Sequence, residues 1–148
     1  MAAKYQAGPV RKVLNRAVMA LAARGAGPDG MYILETIGRR SGLARRNPVR
    51  IIEFDGQRWL VSPYGEVGWV HNVRARDVVL LRRGHDEQRV WAEAVHGDRA
   101  GQVLHQYVKR APVTIPYFDA SPRSAPAVFA AEAHKHPVFL LHGWSETP

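Results

Sequence analysis

Short β-rich runs separated by tight-turn signals constrain this chain more strongly than any other feature. The dipeptide Asp55-Gly56 lies between two such runs, residues 47–54 and 57–62, and is a strong signal for a β-hairpin. Residues 78–82 and 88–95 form another pair of this kind, joined by a short polar segment. Strands that follow one another at hairpin spacing pair antiparallel, so the pattern predicts an antiparallel sheet.

Two further runs and two helical segments complete the predicted fold. Residues 31–37 and 137–141 are the remaining strands, which brings the total to five or six. Residues 67–77 predict a short helix and residues 98–110 a longer one with an apolar face. The proline-rich stretch after the longer helix is expected to be irregular. The predicted class is mostly β with peripheral helices (α+β), a small antiparallel barrel in a single domain over the whole chain.

An amphipathic helix with a basic face is predicted over about residues 9–24. Its apolar positions recur at helical spacing and are Val10, Val13, Leu14, Ala17, Val18 and Leu21. Residues 25–28 contain two glycines and a proline and are expected to end it. The helix either packs across the core or contacts an anionic membrane surface. The scarcity of large apolar side chains favours packing across the core.

Composition excludes several kinds of chemistry. The 148 residues include no cysteine, so disulfides, thiolate metal sites and a cysteine nucleophile are ruled out. The net charge is +8, from 17 Arg and 4 Lys against 13 acidic residues. Arginine offers a planar fork for phosphate or carboxylate, although a high-GC coding bias also explains the ratio. No segment reaches the roughly 20 apolar residues of a membrane span, and residues 1–6 do not resemble a secretion signal, so a cytoplasmic protein is expected.

The chemistry is concentrated in residues 38–48, which hold four arginines and no acid between two predicted strands. Gly38 and Gly42 are able to take positive φ and to expose backbone N–H groups. Arginine forks, the Ser41 hydroxyl and free amides together suit an anionic group, phosphate or carboxylate. The spacing is not that of a nucleotide-binding P-loop. The alternative is a solvated basic hairpin turn.

Two motifs in the correct order resemble the deazaflavin-dependent nitroreductase family. The first is Thr36-Ile37-Gly38-Arg39-Arg40-Ser41-Gly42, followed by Arg45 and Asn47-Pro48. The second is Trp69 with Asn72 three residues later. The resemblance covers about residues 32–95 and, more weakly, residues 136–141.

This resemblance implies a split β-barrel, FMN-binding-like, that holds coenzyme F-420 (8-hydroxy-5-deazaflavin), with FMN less expected. The reduced coenzyme would pass a hydride to a small electron-poor substrate, quinone-like, enone or nitro. Its phosphodiester and polyglutamate tail explain the use of an arginine cluster. By the resemblance, Arg39, Arg40, Ser41 and Gly42 bind the phosphate and the tail, and Arg45 adds a basic contact. The resemblance also implies that Asn47 and Pro48 line the approach to the ring and that Ser62 precedes a loop that closes over the phosphate. Trp69 and Asn72 would lie near the coenzyme or the substrate. Split barrels commonly form homodimers, so a homodimer is expected.

The chain departs from the family pattern in three places. The loop over residues 62–67 is short and contains Glu66, and Val70 replaces an aromatic residue. The tyrosine-rich substrate region has no clean match, although Tyr107, Tyr117 and Phe118 could occupy similar space. Coenzyme binding is therefore better supported than nitroreduction.

Other residues suggest no further catalytic group. The seven histidines are scattered apart from His134 and His136, so no metal site is predicted. Hydride transfer takes its reactive atom from the cofactor, so no catalytic dyad is expected. Tyr64 and His71 are the candidates for a proton donor.

Two other functions compete with the reductase. One is a non-catalytic split barrel that binds a lipid, FMN or a haem-type ligand. The other is a nucleic-acid binder, suggested by charge alone. The second lacks any recognisable nucleic-acid module, and its aromatic residues are not interleaved with the arginine cluster. We therefore expect a small-molecule substrate and no nucleic acid.

Overall fold

The computed structural model describes residues 9–25 and 29–143. The expectation about residues 1–6, and part of the predicted helix stop at residues 25–28, lie outside the described residues.

Four α-helices, two 3-10 helices and six strands are present in the described part of the chain. The α-helices are α1 (Pro9–Ala23), α2 (Gly68–Ala75), α3 (Gly97–Arg110) and α4 (Pro126–Glu132), and the 3-10 helices are Pro112–Tyr117 and Ala133–Lys135. The strands are β1 (Met31–Ile37), β2 (Ala44–Phe54), β3 (Gln57–Val61), β4 (Val78–Arg83), β5 (Asp86–Val95) and β6 (Val138–Gly143).

The strands close into an antiparallel barrel in the order β1-β2-β3-β6-β5-β4. Pairing of β1 with β4 completes the ring and leaves no free sheet edge. Phe54 pairs with Gln57 across a two-residue turn in which Asp55 and Gly56 have φ values of 56° and 71°. Two positive φ values match the twist of a tight hairpin. The predicted fold class, an antiparallel barrel with peripheral helices, is confirmed.

Two apolar cores lie on opposite sides of the barrel wall. Inside the barrel, Leu34, Leu60 and Leu81 are fully buried. Outside it, Trp59 and Val61 pack with α3 and α4 in a second core. Alternate residues of β3 point to opposite cores, and this explains the unbroken apolar run at residues 59–61. Trp59 is therefore a core residue, whereas Trp91 is half-buried and stacks on His142, with ring centroids 4.0 Å apart.

Helix α1 packs against the barrel with only part of the predicted apolar stripe, and the side chains of Val10 and Leu14 lie outside the described residues. Val13 and Leu21 of the predicted apolar stripe are exposed, at 63% and 45%. Ala22 is buried and Val18 is half-buried, and α1 lies against β1, β2 and β4. The small side chain of Ala22 lets the end of α1 approach the barrel closely. None of the helices in the described segments is long and apolar enough to cross a bilayer.

The proline-rich stretch is more regular than predicted. Its first residues form a 3-10 helix, and Pro126 begins α4, which the sequence analysis missed. Proline at the first helical position loses no hydrogen bond, because that N–H has no partner within the helix in any case. The prolines therefore start helices here instead of preventing them.

We predict that Gly101→Ala destabilises the protein. A Cβ at this position of α3 would lie 2.7 Å from Cβ of Ala130 and 2.7 Å from the carbonyl oxygen of Pro126, both in α4. Overpacking costs about 1–3 kcal/mol, more than the ~1 kcal/mol that alanine gains over glycine in a helix. Urea denaturation should show a lower free energy of unfolding.

Gly68→Ala is the matched control, because no atom lies within 4 Å of a Cβ built there. This variant should match or slightly exceed the wild type in stability. Equal stability of the two variants would show that α3 and α4 are not closely packed at Gly101.

Candidate functional site

The loop that joins β1 to β2, residues 38–43, is held in shape by its own hydrogen bonds; we call it the arginine loop. The Gly38 N–H donates to the Leu43 carbonyl at 2.8 Å, and the Gly42 N–H donates to the Gly38 carbonyl at 2.8 Å. The Leu43 N–H donates to Ser41 Oγ at 3.2 Å. This leaves the N–H groups of Arg40 and Ser41 without a partner among the described residues, and so able to bind an anion.

The two loop glycines are required for different reasons. Gly42 has φ of 71°, as expected. Gly38 does not use this freedom, since it is not among the positive-φ glycines of the described chain. A Cβ on Gly38 would instead lie 2.5 Å from Ser41 Oγ. Gly38 is needed because the loop folds back against it.

The side chain of Asn72 ties the arginine loop to the barrel. Its Oδ1 accepts hydrogen bonds from the Arg39 backbone N–H at 3.2 Å and from Arg39 Nη1 at 3.1 Å. Its Nδ2 donates to Thr36 Oγ1 at 3.1 Å. Asn72 and Thr36 are both buried, whereas Arg39 is exposed. One amide from α2 therefore fixes the end of β1 and the start of the loop.

The four arginines of the cluster divide by their partners. Arg46 Nε donates to Glu35 at 2.9 Å, so its charge is balanced by a nearly buried carboxylate on β1. Arg39 is engaged with the neutral oxygen of Asn72 and keeps its full charge. The side chains of Arg40 and Arg45 have no ion pair or hydrogen bond with any described residue. The cationic surface available to a ligand thus comes from Arg39, Arg40 and Arg45.

A cavity of about 430 Å³ opens beside the arginine loop; we call it the first cavity. Its lining among the described residues contains no acidic side chain. Eight of the ten predicted cofactor-binding residues do, namely Arg39, Arg40, Ser41, Arg45, Asn47, Pro48, Trp69 and Asn72. Gly42 lies on the other face of the loop, in a hollow that includes Arg76. An acid-free pocket with three arginines suits a polyanion.

A second cavity of about 200 Å³ adjoins the first and shares Asn15, Pro48, Tyr64 and Trp69 with it. Its lining is more apolar and includes valines from α1, β2 and β3. Ser62 lies in this second cavity, and its hydroxyl donates to the Gly65 carbonyl at 2.6 Å. Ser62 is therefore placed away from the arginine loop, where it shapes the following turn.

Aromatic hydroxyl groups border the second cavity. Tyr107 is buried on its lining, and burial raises the pKa of its phenol, so the hydroxyl stays protonated at neutral pH. Tyr64 lines both cavities and packs edge-on against Tyr117, with ring centroids 4.8 Å apart. Phe118 instead belongs to the core outside the barrel.

The remaining candidates lie apart from these cavities. His71 is half-buried on α2 and lines neither cavity. Glu66, the acid in the short loop, is paired with Arg74, and this hydrogen bond holds the pKa of Glu66 below its usual value. Its negative charge is thereby balanced within the loop and helix α2. Among the described residues, no three His, Asp or Glu side chains come together as a metal site requires.

Asn15 is a residue of the cavity walls that the sequence motifs did not indicate. This residue lies in α1 and lines both cavities. The helix periodicity assigned the packing face to its apolar stripe, which left Asn15 on the predicted polar face. A polar residue at a cavity wall has no distinguishing pattern in a single sequence.

We predict that Asn72→Ala lowers the free energy of unfolding by about 1–3 kcal/mol, the usual cost of leaving buried polar groups unsatisfied. Hydrogen exchange should accelerate in residues 38–43, because the Arg39 N–H loses its acceptor. Asn72→Asp keeps the acceptor oxygen and should retain more of the protection. Unchanged exchange in the alanine variant would mean that Asn72 does not hold the loop.

Comparison with known proteins identifies the family to which this chain belongs. A family model described as F420H(2)-dependent quinone reductase matches residues 11–129. Among curated proteins, none matches the chain at a significant level.

Solved structures resemble the fold at low sequence identity. One described as an F420-H2 Dependent Reductase (FDR-A) has 20% identity and a TM-score of 0.55, over 77% of this chain and 95% of that chain. Another, described as a domain-swapped dimer, has 20% identity and a TM-score of 0.58, over 90% of this chain and 96% of that chain. A member of the pyridoxinephosphate oxidase family from Clostridium acetobutylicum has 11% identity and a TM-score of 0.54, over 78% and 75%.

These structural likenesses establish the fold alone, that of the split β-barrel, FMN-binding-like proteins. The family match is more specific because it extends over most of the chain, including the arginine loop, the Trp69 and Asn72 element and α3. The chain therefore belongs to the F420H(2)-dependent quinone reductase family, oxidoreductases whose cofactor is coenzyme F-420.

Proposed function

We propose that this oxidoreductase uses reduced coenzyme F-420 to reduce a small, electron-poor molecule of quinone-like, enone or nitro type. The observation that supports this most strongly is the pair of adjoining cavities. One is cationic and acid-free, and the other is more apolar. They share a wall formed by Pro48, Tyr64 and Trp69, so occupants of the two cavities would meet there.

The residues of the first cavity fit the anionic part of the coenzyme. The guanidinium groups of Arg40 and Arg45 have no acidic partner among the described residues. The backbone N–H groups of Arg40 and Ser41 lie beside them and are available to donate hydrogen bonds to a ligand. A phosphodiester or carboxylate would satisfy both kinds of donor at once. Arg39, fixed by Asn72, would add charge without losing further side-chain freedom.

The chemistry divides between coenzyme and protein. Reduced F-420, when bound, supplies a hydride to the substrate. The chain's own residues orient the two molecules and exclude water, through Trp69 and Pro48 at the shared wall. Tyr107 keeps a neutral hydroxyl on the second cavity and so can donate a hydrogen bond to a substrate oxygen. Of the two candidate proton donors, Tyr64 is the better placed, because it lines both cavities and His71 lines neither.

Three predictions about partners and location rest on the sequence alone. They are a homodimer, a cytoplasmic location and, as the less favoured interpretation of α1, contact with a membrane surface. The domain-swapped dimer among the structural relatives is a property of that protein.

The proposal is tested by measuring coenzyme binding after substitution of Arg40 and Arg45, the two arginines whose side chains have no partner among the described residues. We predict that the double variant Arg40→Ala, Arg45→Ala weakens F-420 binding at least about 100-fold, because each lost charge-assisted contact costs about 1.5–3 kcal/mol. A fluorescence titration with oxidised F-420 measures this. The control is Arg89→Ala, Arg123→Ala, which removes the same charge from exposed positions outside both cavities. Equal weakening by both double variants would mean that F-420 binding depends on the overall positive charge of the protein and not on Arg40 and Arg45 in particular.

Turnover tests the reductase against the binding-protein alternative. Wild-type protein should bind F-420 at micromolar concentration and should bind FMN less tightly. Adding menadione, or separately a nitroaromatic, to protein with reduced F-420 should accelerate oxidation of the coenzyme. Failure to bind F-420 would overturn the proposal, and binding without oxidation by either acceptor would favour a non-catalytic role.

A further inference from the structure

A buried acid and histidine lie next to the site and take no part in the function proposed above. Glu132 in α4 is 6% exposed, and His136, just before β6, is 4% exposed. His136 Nε2 lies 2.8 Å from Glu132 Oε1, and His136 Nδ1 lies 2.9 Å from the carbonyl oxygen of Pro63. Burying two ionisable groups costs free energy of hydration unless their hydrogen bonds and electrostatic contacts offset that loss.

Both ring nitrogens of His136 face oxygen atoms, and this defines what the ring can do. A carbonyl oxygen only accepts, so Nδ1 must carry the hydrogen that is donated to Pro63. The contact between Nε2 and Glu132 then requires a second proton, on the ring or on the carboxyl group. The pair thus fastens the backbone at Pro63 to α4.

The same pair also holds a second segment. The Glu132 carboxylate accepts hydrogen bonds from the N–H groups of Asp119 at 3.1 Å and Ala120 at 2.8 Å. The His136 ring stacks on Phe118, with ring centroids 3.9 Å apart and planes inclined by 26°. Residues 118–120 are therefore fixed to α4 by the two side chains that fix Pro63.

The two fastened segments meet at Tyr64. Tyr64 directly follows Pro63, and Tyr117 directly precedes Phe118. The rings of Tyr64 and Tyr117 are in edge-to-face contact at 4.8 Å with an interplanar angle of 82°. Ser62 and Gly65 hold the other side of this turn through the Ser62 hydroxyl. Tyr64 is the residue of the turn that lines both cavities.

We propose that His136, supported by Glu132, is a positioning residue that sets Tyr64 as the shared wall of the coenzyme and substrate cavities. This inference rests on the proposed function for its kinetic consequence, though not for its structural one. His136 is not among the described residues that line either cavity, and its Nδ1 bonds the carbonyl oxygen of Pro63, which lines the second cavity, so its influence on a substrate passes through the turn at residues 62–65. Its removal affects substrate use more than coenzyme binding, because the arginine loop supplies the charge that holds the coenzyme.

Two substitutions separate the contacts of His136. In His136→Asn, the side-chain amide nitrogen can occupy the position of Nδ1 and still donate to Pro63. In His136→Gln, the amide nitrogen reaches the position of Nε2, so the Glu132 contact is kept and the Pro63 contact is lost. We expect His136→Gln to raise KM for menadione about 10-fold or more while changing the F-420 Kd by less than about 3-fold. His136→Asn should stay within about 3-fold of the wild type in both.

A double-mutant cycle tests whether the effect passes through Tyr64. In a Tyr64→Ala background, adding His136→Gln should change KM little further, because the side chain it positions is absent. Full additivity of the effects of the two substitutions on KM would overturn the proposal. So would similar KM values for His136→Gln and the wild type, which would leave the pair a purely structural role.

Hydrogen exchange gives a readout that does not depend on activity. Exchange in residues 62–65 should be faster in His136→Gln than in His136→Asn, and His142→Gln, a histidine with partners Trp91 and Glu93, should leave that segment unchanged. If wild-type protein fails to bind F-420, the proposed function fails while this exchange result still decides the positioning role. Equal exchange in the two His136 variants would overturn that role.

Discussion

The geometry of the site depends on one buried amide. Asn72 lies 33 residues from Arg39 and 36 from Thr36, yet it accepts two hydrogen bonds from Arg39 and donates one to Thr36. Without it, the arginine loop would be attached to the rest of the protein through the β1–β2 hairpin and one long contact, 3.5 Å, from Arg39 Nη1 to the Gly68 carbonyl oxygen. The guanidinium groups would then be free to separate, since like charges repel one another. A satisfied amide in a buried position holds them together at modest cost.

The adjoining cavities follow from where the loop is placed. The loop extends from the β1–β2 hairpin beside α2, so its cations face one cavity that no acid lines. The turn at residues 62–65, fastened through Pro63 to His136, closes the wall towards the more apolar cavity. The arginines and the more apolar surface are thereby separated into two adjoining cavities. In the proposed function, the charge of the first cavity would hold the coenzyme and the apolar lining of the second would contact the substrate.

Local signals in the sequence were sufficient for much of the fold. The Asp55-Gly56 turn, the strand over residues 31–37 and the barrel class are confirmed, because turn dipeptides and β-rich runs are determined by neighbouring residues. Val13 and Leu21 of the predicted α1 stripe are exposed, and α4 was missed at Pro126. These errors share a cause: periodicity and proline content do not show how near a helix lies to the sheet or where a proline begins a helix.

The sequence by itself determined that a basic, glycine-bounded loop with a defined motif joins two strands, and that any redox chemistry must be borrowed, since the chain has no cysteine. Only the tertiary structure decided which arginines are available. Arg46 is balanced by Glu35 across β1 and β2, while Arg40 and Arg45 face the first cavity. It also brought Glu132 and His136 to Pro63, about 70 residues away in the chain. Such pairings depend on barrel closure and helix packing, which place residues by distance in space and not by order in sequence.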